Sequence, residues 1–103
     1  VSSQAFRPTP KDENRLSVYD GDQIDPEPAY RHYTERLCFQ SSGVMAVTVS
    51  ECGALALPVE ADPMPSFPEH VVIDFSAYSK NAVEKKAKQL KAVAEARGWL
   101  YHG

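Results

Sequence analysis

The most regular pattern of apolar and polar positions lies in residues 79–98, near the end of the chain. Four apolar residues recur there at spacings of three and four: Val83, Ala87, Leu90 and Ala94. This spacing places them on one face of an α-helix. Ser79 can accept a hydrogen bond from a free amide at the helix start, and Gly98 can adopt the left-handed conformation that ends a helix. We therefore predict an amphipathic helix, about 27 Å long, whose apolar face packs on a sheet.

Three short segments have the pattern of β-strands. Residues 16–19 alternate between apolar and polar side chains, and residues 44–49 and 71–75 are rich in β-branched residues. Because nearly every position of residues 44–49 is apolar, we predict that this strand lies at the centre of the sheet, with a layer on each face. Residues 99–101 are predicted to form a fourth strand at the sheet edge.

Turn and capping residues indicate two further helices. Asp25 can cap a helix in which Pro26 takes the first position, and we expect this helix to continue to about residue 37. Ser50 can cap a short helix over residues 51–57 that Pro58 ends. The prolines that follow predict an irregular connection up to residue 68, without a regular element.

The order of these elements predicts one small domain that mixes helices and strands. The expected fold class is α+β, or a small α/β domain, with a three- to four-stranded sheet covered by the long C-terminal helix and a shorter helix near residues 26–37. The alternation of strands and helices allows parallel neighbours joined by right-handed crossovers. Residues 1–14 are predicted to form an extended N-terminal arm that is ordered only if Phe6 docks, and residues 15–103 to form the domain.

Composition excludes several classes of protein. The chain has 103 residues, of which 43% are apolar, and no apolar run is long enough to cross a bilayer. With no signal-peptide pattern, we expect a soluble, cytoplasmic protein without a membrane partner. Cys38 and Cys52 are too few for a disulfide framework and are expected to be reduced, buried thiols. Their spacing from the histidines matches no zinc motif, and we predict no cofactor.

Charge is distributed unevenly along the chain. The net charge is −3, yet residues 79–103 carry six basic residues against two acidic ones. Five of these basic residues form a candidate interaction surface on the predicted helix: Lys85, Lys86, Lys88, Lys91 and Arg97. Such a surface can meet an acidic protein, the acidic part of a second copy, or the phosphates of a nucleic acid. Because the lysines spread around the helix and the chain is acidic overall, the pattern favours a protein.

Two groups of side chains could carry chemistry. Asp20, Asp22 and Asp25 offer oxygen ligands for calcium or magnesium, but their spacing lacks the alternating ligands and terminal glutamate of a calcium loop. Roles in a turn and in capping a helix explain the three aspartates equally well. His70 and Asp74 fall on one face of the predicted strand, where Asp74 can orient His70 as a general base. No recognised nucleophile motif accompanies this pair.

The leading hypothesis is a small, non-catalytic protein-interaction or regulatory module that serves as an accessory or neutralising partner of a larger protein. One alternative is a small metal-dependent hydrolase or nuclease that uses Asp20, Asp22, His70 and Asp74. A second alternative is nucleic-acid binding through the lysine-rich helix. The hydrolase predicts that the four side chains converge on one pocket, whereas the interaction module predicts that they are scattered.

Overall fold

A computed structural model describes residues 6, 14–39, 41 and 43–102. The elements, in chain order, are β1 (Arg15–Tyr19), α1 (Pro26–Arg31), β2 (Gly43–Val44), α2 (Val49–Ala54), β3 (Val59–Ala61), β4 (His70–Asp74), α3 (Lys80–Arg97) and β5 (Tyr101–His102). A π-helical turn, His32–Arg36, continues α1 directly. The predicted α+β fold, with a long C-terminal helix and a shorter helix over residues 26–37, is confirmed.

Helix α3 matches its sequence prediction at both ends and along its buried face. The Ser79 hydroxyl accepts a hydrogen bond from the Ala82 amide at 3.3 Å, and Gly98 ends the helix with a φ of 87°. Its buried residues are the four that the spacing predicts: Val83, Ala87, Leu90 and Ala94. Capping and periodicity, which both act within the segment, therefore determine this element.

The main sheet has three strands in the order β1-β4-β3, and both pairings are antiparallel. Ile73 at the centre of the sheet faces Leu16 on one neighbour and Val59 on the other. These side chains pack into the core with Leu90 and Phe75, which are both fully buried. The expectation of parallel strands joined by crossovers is therefore wrong: β3 and β4 follow each other along the chain and pair antiparallel, and β1 pairs antiparallel with β4 from a distant part of the chain.

The predicted central strand at residues 44–49 is also wrong. Of this segment only Val44 belongs to a strand: β2 is two residues long and pairs with β5 in a separate two-stranded ribbon. Thr48 instead starts helix α2: its hydroxyl accepts the Glu51 amide at 3.1 Å, and the Glu51 carboxylate accepts the Thr48 amide at 2.7 Å. This capping box, and not the predicted Ser50 cap, overrides the β-propensity of the segment.

Two further boundaries differ from the sequence prediction. The proline-rich connection contains strand β3, since Pro58 and Pro63 lie just outside its three residues and leave its amides free to pair with β4. The last strand, β5, pairs with β2 and not with an edge of the main sheet.

The predicted N-terminal arm lies almost entirely outside the described residues. Of its apolar side chains, Phe6 is described and packs against the core as a half-buried residue. Both cysteines are free thiols, and Cys52 is buried as expected, whereas the expected burial of Cys38 is wrong because its side chain is exposed. Among the helices that the structure describes, none is long and apolar enough to cross a membrane.

Candidate functional site

The five basic residues predicted as an interaction surface do not form one surface. Arg97 is occupied by contacts that join the end of α3 to α2. Its guanidinium donates to the two carboxylate oxygens of Glu51 at 2.8 and 3.0 Å, and to the Ala46 carbonyl at 2.9 Å. Hydrogen bonds from Arg97, and then from the Thr48 amide, lower the pKa of Glu51 to about 2. Arg97 therefore has a structural role.

Lys88 and Lys91 lie on the flank of α3 that also carries its two acidic residues. At about 100° per residue, Glu84 and Glu95 share this flank with the two lysines. The Lys91 ammonium lies 3.9 Å from the Glu95 carboxylate. Opposite charges therefore alternate here, and this flank has no strong net potential.

The opposite flank of α3 borders a groove of about 330 Å³ between this helix and the turn that follows α2. Residues from both elements form its walls, and most of them are small or basic. The lining residues are Ala54, Leu55, Ala56, Ala82, Lys85, Lys86 and Gln89. Among these lining residues none is acidic, so the groove has a positive potential. We refer to it as the α2–α3 groove.

Lys86 is fixed in the wall of the α2–α3 groove. Its ammonium donates to the Leu55 carbonyl at 2.6 Å and lies 4.3 Å from the centre of the Tyr78 ring. The Tyr78 hydroxyl in turn donates to the Ala56 carbonyl at 2.5 Å, where Ala56 adopts a left-handed conformation with φ 56°. An ammonium has three donors, so Lys86 retains two for a ligand.

Lys85 is the exposed counterpart of Lys86 in the groove. Its side chain is exposed and makes no hydrogen bond or ion pair with any residue that the structure describes. The lining of the groove thus combines one positioned cation, one exposed cation and several alanine side chains. A carboxylate is the simplest group that satisfies both cations.

The three aspartates predicted as weak metal candidates form a turn. The Asp20 carboxylate accepts the Gln23 amide group at 2.8 Å and the Asp22 backbone amide at 2.9 Å, which lowers the pKa of Asp20. Asp25 precedes α1 without a capping hydrogen bond from its side chain. Within the described part of the chain, no group of three His, Cys, Asp or Glu residues is placed to hold a metal ion.

His70 and Asp74 lie at opposite ends of β4 and do not meet. Their Cα atoms are four residue steps apart along the strand, which is about 13 Å. The Asp74 carboxylate accepts the Ser76 amide at 2.8 Å, and its hydrogen bonds with Ser76 lower its pKa. The partners of His70 are Ser17 and Asp62, which the sequence does not predict because they come from other strands.

Two distinct arrangements thus lie on the molecule: the positive α2–α3 groove, and a hydrogen-bonded Ser17, His70 and Asp62. The four residues of the predicted hydrolase site are spread over a turn and both ends of a strand. Comparison with protein-family models, with curated proteins and with solved structures finds no match.

Proposed function

We propose that this chain is a protein-interaction module that binds an acidic polypeptide segment in the α2–α3 groove. In this role it acts as an accessory or regulatory partner of a larger protein. The observation that carries the proposal is the pairing of Lys85 and Lys86 in a groove with no acidic lining residue. Charge complementarity therefore selects a carboxylate-bearing partner.

The size of the groove supports a peptide as its occupant. A volume of about 330 Å³ is at the small end of the range for ligand pockets and accommodates side chains rather than a folded domain. The alanine side chains of the lining are small, so the backbone of a partner can approach closely. Lys86 is held in place before binding, so little of its side-chain entropy remains to be lost.

Two observations favour this occupant over a nucleic acid. The chain has a net charge of −3, whereas nucleic-acid-binding domains are usually basic. The basic residues of α3 are also interrupted: Arg97 is paired with Glu51, and Lys91 lies beside Glu95. The regularly spaced phosphates of a nucleic acid would therefore contact isolated cations and not a continuous row of basic side chains.

The scattering of Asp20, Asp22, His70 and Asp74 also supports a binding role over the metal-dependent hydrolase. Asp20 and Asp22 belong to one turn, while His70 and Asp74 occupy the two ends of β4. A metal-dependent site needs its ligands within a few ångströms of one point.

The proposal can be tested with a fluorescent peptide of alternating glutamate and alanine, whose binding is followed by fluorescence anisotropy. An exposed ion pair contributes about 0.2 to 1 kcal/mol. Reversing Lys85 to glutamate removes one pair and adds a repulsion, so we expect about tenfold weaker binding of the peptide for Lys85→Glu. Lys88→Glu makes the same change of charge on the other flank and should alter affinity less than about twofold.

Three results would contradict the proposal. Equal weakening by Lys85→Glu and Lys88→Glu would mean that binding depends on net charge and not on the groove. Tighter binding of duplex DNA of the same total charge would identify a nucleic acid as the occupant. Dimerisation in sedimentation experiments that Lys85→Glu abolishes would identify a second copy of the chain.

A further inference from the structure

The face of the main sheet opposite α3 brings together a serine, a histidine and an aspartate from three strand positions. Ser17 lies on β1, His70 begins β4, and Asp62 follows β3. The His70 Nε2 atom is 3.0 Å from the Ser17 hydroxyl oxygen. The His70 Nδ1 atom is 2.9 Å from the Asp62 carbonyl oxygen and 3.4 Å from its carboxylate.

The hydrogen-bond partners of His70 determine which nitrogen carries the proton. The carbonyl and the ionised carboxylate of Asp62 can only accept hydrogen bonds, so Nδ1 must be the donor. In a neutral imidazole Nε2 then has a free lone pair, and the Ser17 hydroxyl must donate to it. A hydroxyl that donates to an imidazole held by a carboxylate is the arrangement that activates a serine nucleophile.

The backbone holds the three residues in this geometry. The Asp62 amide donates to the His70 carbonyl at 2.9 Å, which continues the ladder between β3 and β4. Ser17 lies diagonally across from His70, since Tyr19 is the residue that faces His70 directly. His70 is only 8% exposed, with the Phe67 ring against it at 5.0 Å between ring centres. Ser17 is exposed and open to a substrate.

Ser17 also supplies a donor for a developing oxyanion. Just beyond the two ends of β1, the Asp20 amide donates to the Glu69 carbonyl and the Phe75 amide donates to the Asn14 carbonyl. These two hydrogen bonds determine which residues of β1 form backbone hydrogen bonds with β4. Because bonding alternates along an antiparallel pair, the Ser17 amide points away from β4, toward the side of β1 on which no other described strand pairs. The structure describes no hydrogen-bond acceptor for it. An amide beside the nucleophile can stabilise a tetrahedral oxyanion.

We infer that Ser17 is a nucleophile for acyl transfer, with His70 as its general base and Asp62 as the residue that orients His70. This activity goes beyond the proposed binding function and uses the other side of the molecule. The site is an exposed strand edge and not an enclosed cavity, so it suits small carboxylic esters that reach the edge of β1 from solvent. None of its three residues belongs to the α2–α3 groove.

The reaction conserves atoms and charge at each step. The Ser17 oxygen bonds to the ester carbonyl carbon while its proton moves to His70 Nε2, which gives a tetrahedral oxyanion and an imidazolium. The C–O bond to the alcohol breaks as Nε2–H protonates the leaving oxygen. Water then attacks the acyl-Ser17 carbon by the same route, which releases the carboxylic acid and restores the hydroxyl.

Diisopropyl fluorophosphate tests this inference, because it bonds covalently to an activated serine oxygen as fluoride leaves. After labelling of the intact protein, trypsin separates the peptide of residues 16–31, with Ser17, from the peptide of residues 37–80, with Ser66. Ser66 is an exposed serine that has no part in the arrangement of Ser17, His70 and Asp62. General-base catalysis typically contributes about 100-fold or more, so we expect Ser17 to label about 100-fold faster than Ser66.

Variants separate the roles of the three residues. Ser17→Ala should abolish labelling of the 16–31 peptide and hydrolysis of p-nitrophenyl acetate above background. Asp62→Asn should slow labelling without abolishing it, because the backbone carbonyl still holds Nδ1. Lys88→Glu, which changes an exposed side chain outside both sites, should leave labelling unchanged. The inference is overturned if Ser17 labels no faster than Ser66, if fragmentation places the label on Tyr19, or if Ser17→Ala hydrolyses the ester as fast as the wild type.

Discussion

Replacing Leu90 with alanine tests the packing of α3 on the main sheet. Leu90 is fully buried and contacts the core cluster that contains Ile73 and Phe75. The substitution removes three carbon atoms, each of which contributes about 0.8 kcal/mol when buried, so the transfer loss is about 2.4 kcal/mol. The cavity that remains adds to this loss, and we expect the free energy of unfolding to fall by about 3 to 4 kcal/mol.

Urea unfolding followed by far-ultraviolet circular dichroism measures this change. The matched control is Leu100→Ala, since Leu100 is 46% exposed and should lose about 1 kcal/mol or less. A domain of this size typically has 5 to 15 kcal/mol of stability, so both variants should remain folded in buffer. Equal decreases in the free energy of unfolding for the two variants, or a decrease below about 1 kcal/mol for Leu90→Ala, would show that α3 does not pack on the core of the main sheet.

Three further predictions concern the ribbon, the thiols and the contact between α2 and α3. Gly43→Ala should cost about 1 to 3 kcal/mol in urea unfolding, because a Cβ there meets the backbone of the paired strand, whereas Gly21→Ala has open space and should be nearly neutral. Ellman's reagent should modify Cys38 rapidly and Cys52 only after unfolding, because burial shields the Cys52 thiol and raises its pKa. Folding lowers the pKa of Glu51 from 4.5 to about 2, so the ionised carboxylate stabilises the fold above pH 4.5. This contribution to stability is lost as the pH falls to about 2. The melting temperatures of the wild type and of Glu51→Gln should therefore converge between pH 4.5 and about 2.

Local chemistry explains which elements the sequence predicts correctly. Helix α3 is long enough for its period to be unambiguous, and Ser79 and Gly98 mark its ends within the segment itself. Residues 44–49 are a short apolar run, which can be read as a strand or as part of a buried helix. The Thr48 and Glu51 capping box decides between these structures, and the β-branched residues around it conceal that signal.

Tertiary contacts explain why the candidate sites are harder to predict. The sequence indicates a basic helix, but Glu51, which occupies Arg97, lies 46 residues away along the chain. Ser17 and His70 are 53 residues apart, and no local motif joins them. Sequence reasoning pairs His70 with Asp74 because both lie on one face of one strand, yet a strand keeps residues four apart too distant for a hydrogen bond.

The position of the main sheet between the two sites accounts for their separation. Helix α3 and α2 cover one face of the main sheet, so a groove between these helices must open away from the strands. The other face carries the side chains that alternate with the core residues of β1 and β4, and Ser17 and His70 are among them. Because the core lies between the two sites, a substitution at an exposed residue of one site leaves the contacts of the other intact. We therefore expect the proposed binding at the groove and the proposed acyl transfer at Ser17 to be independent, so that each can be lost without the other.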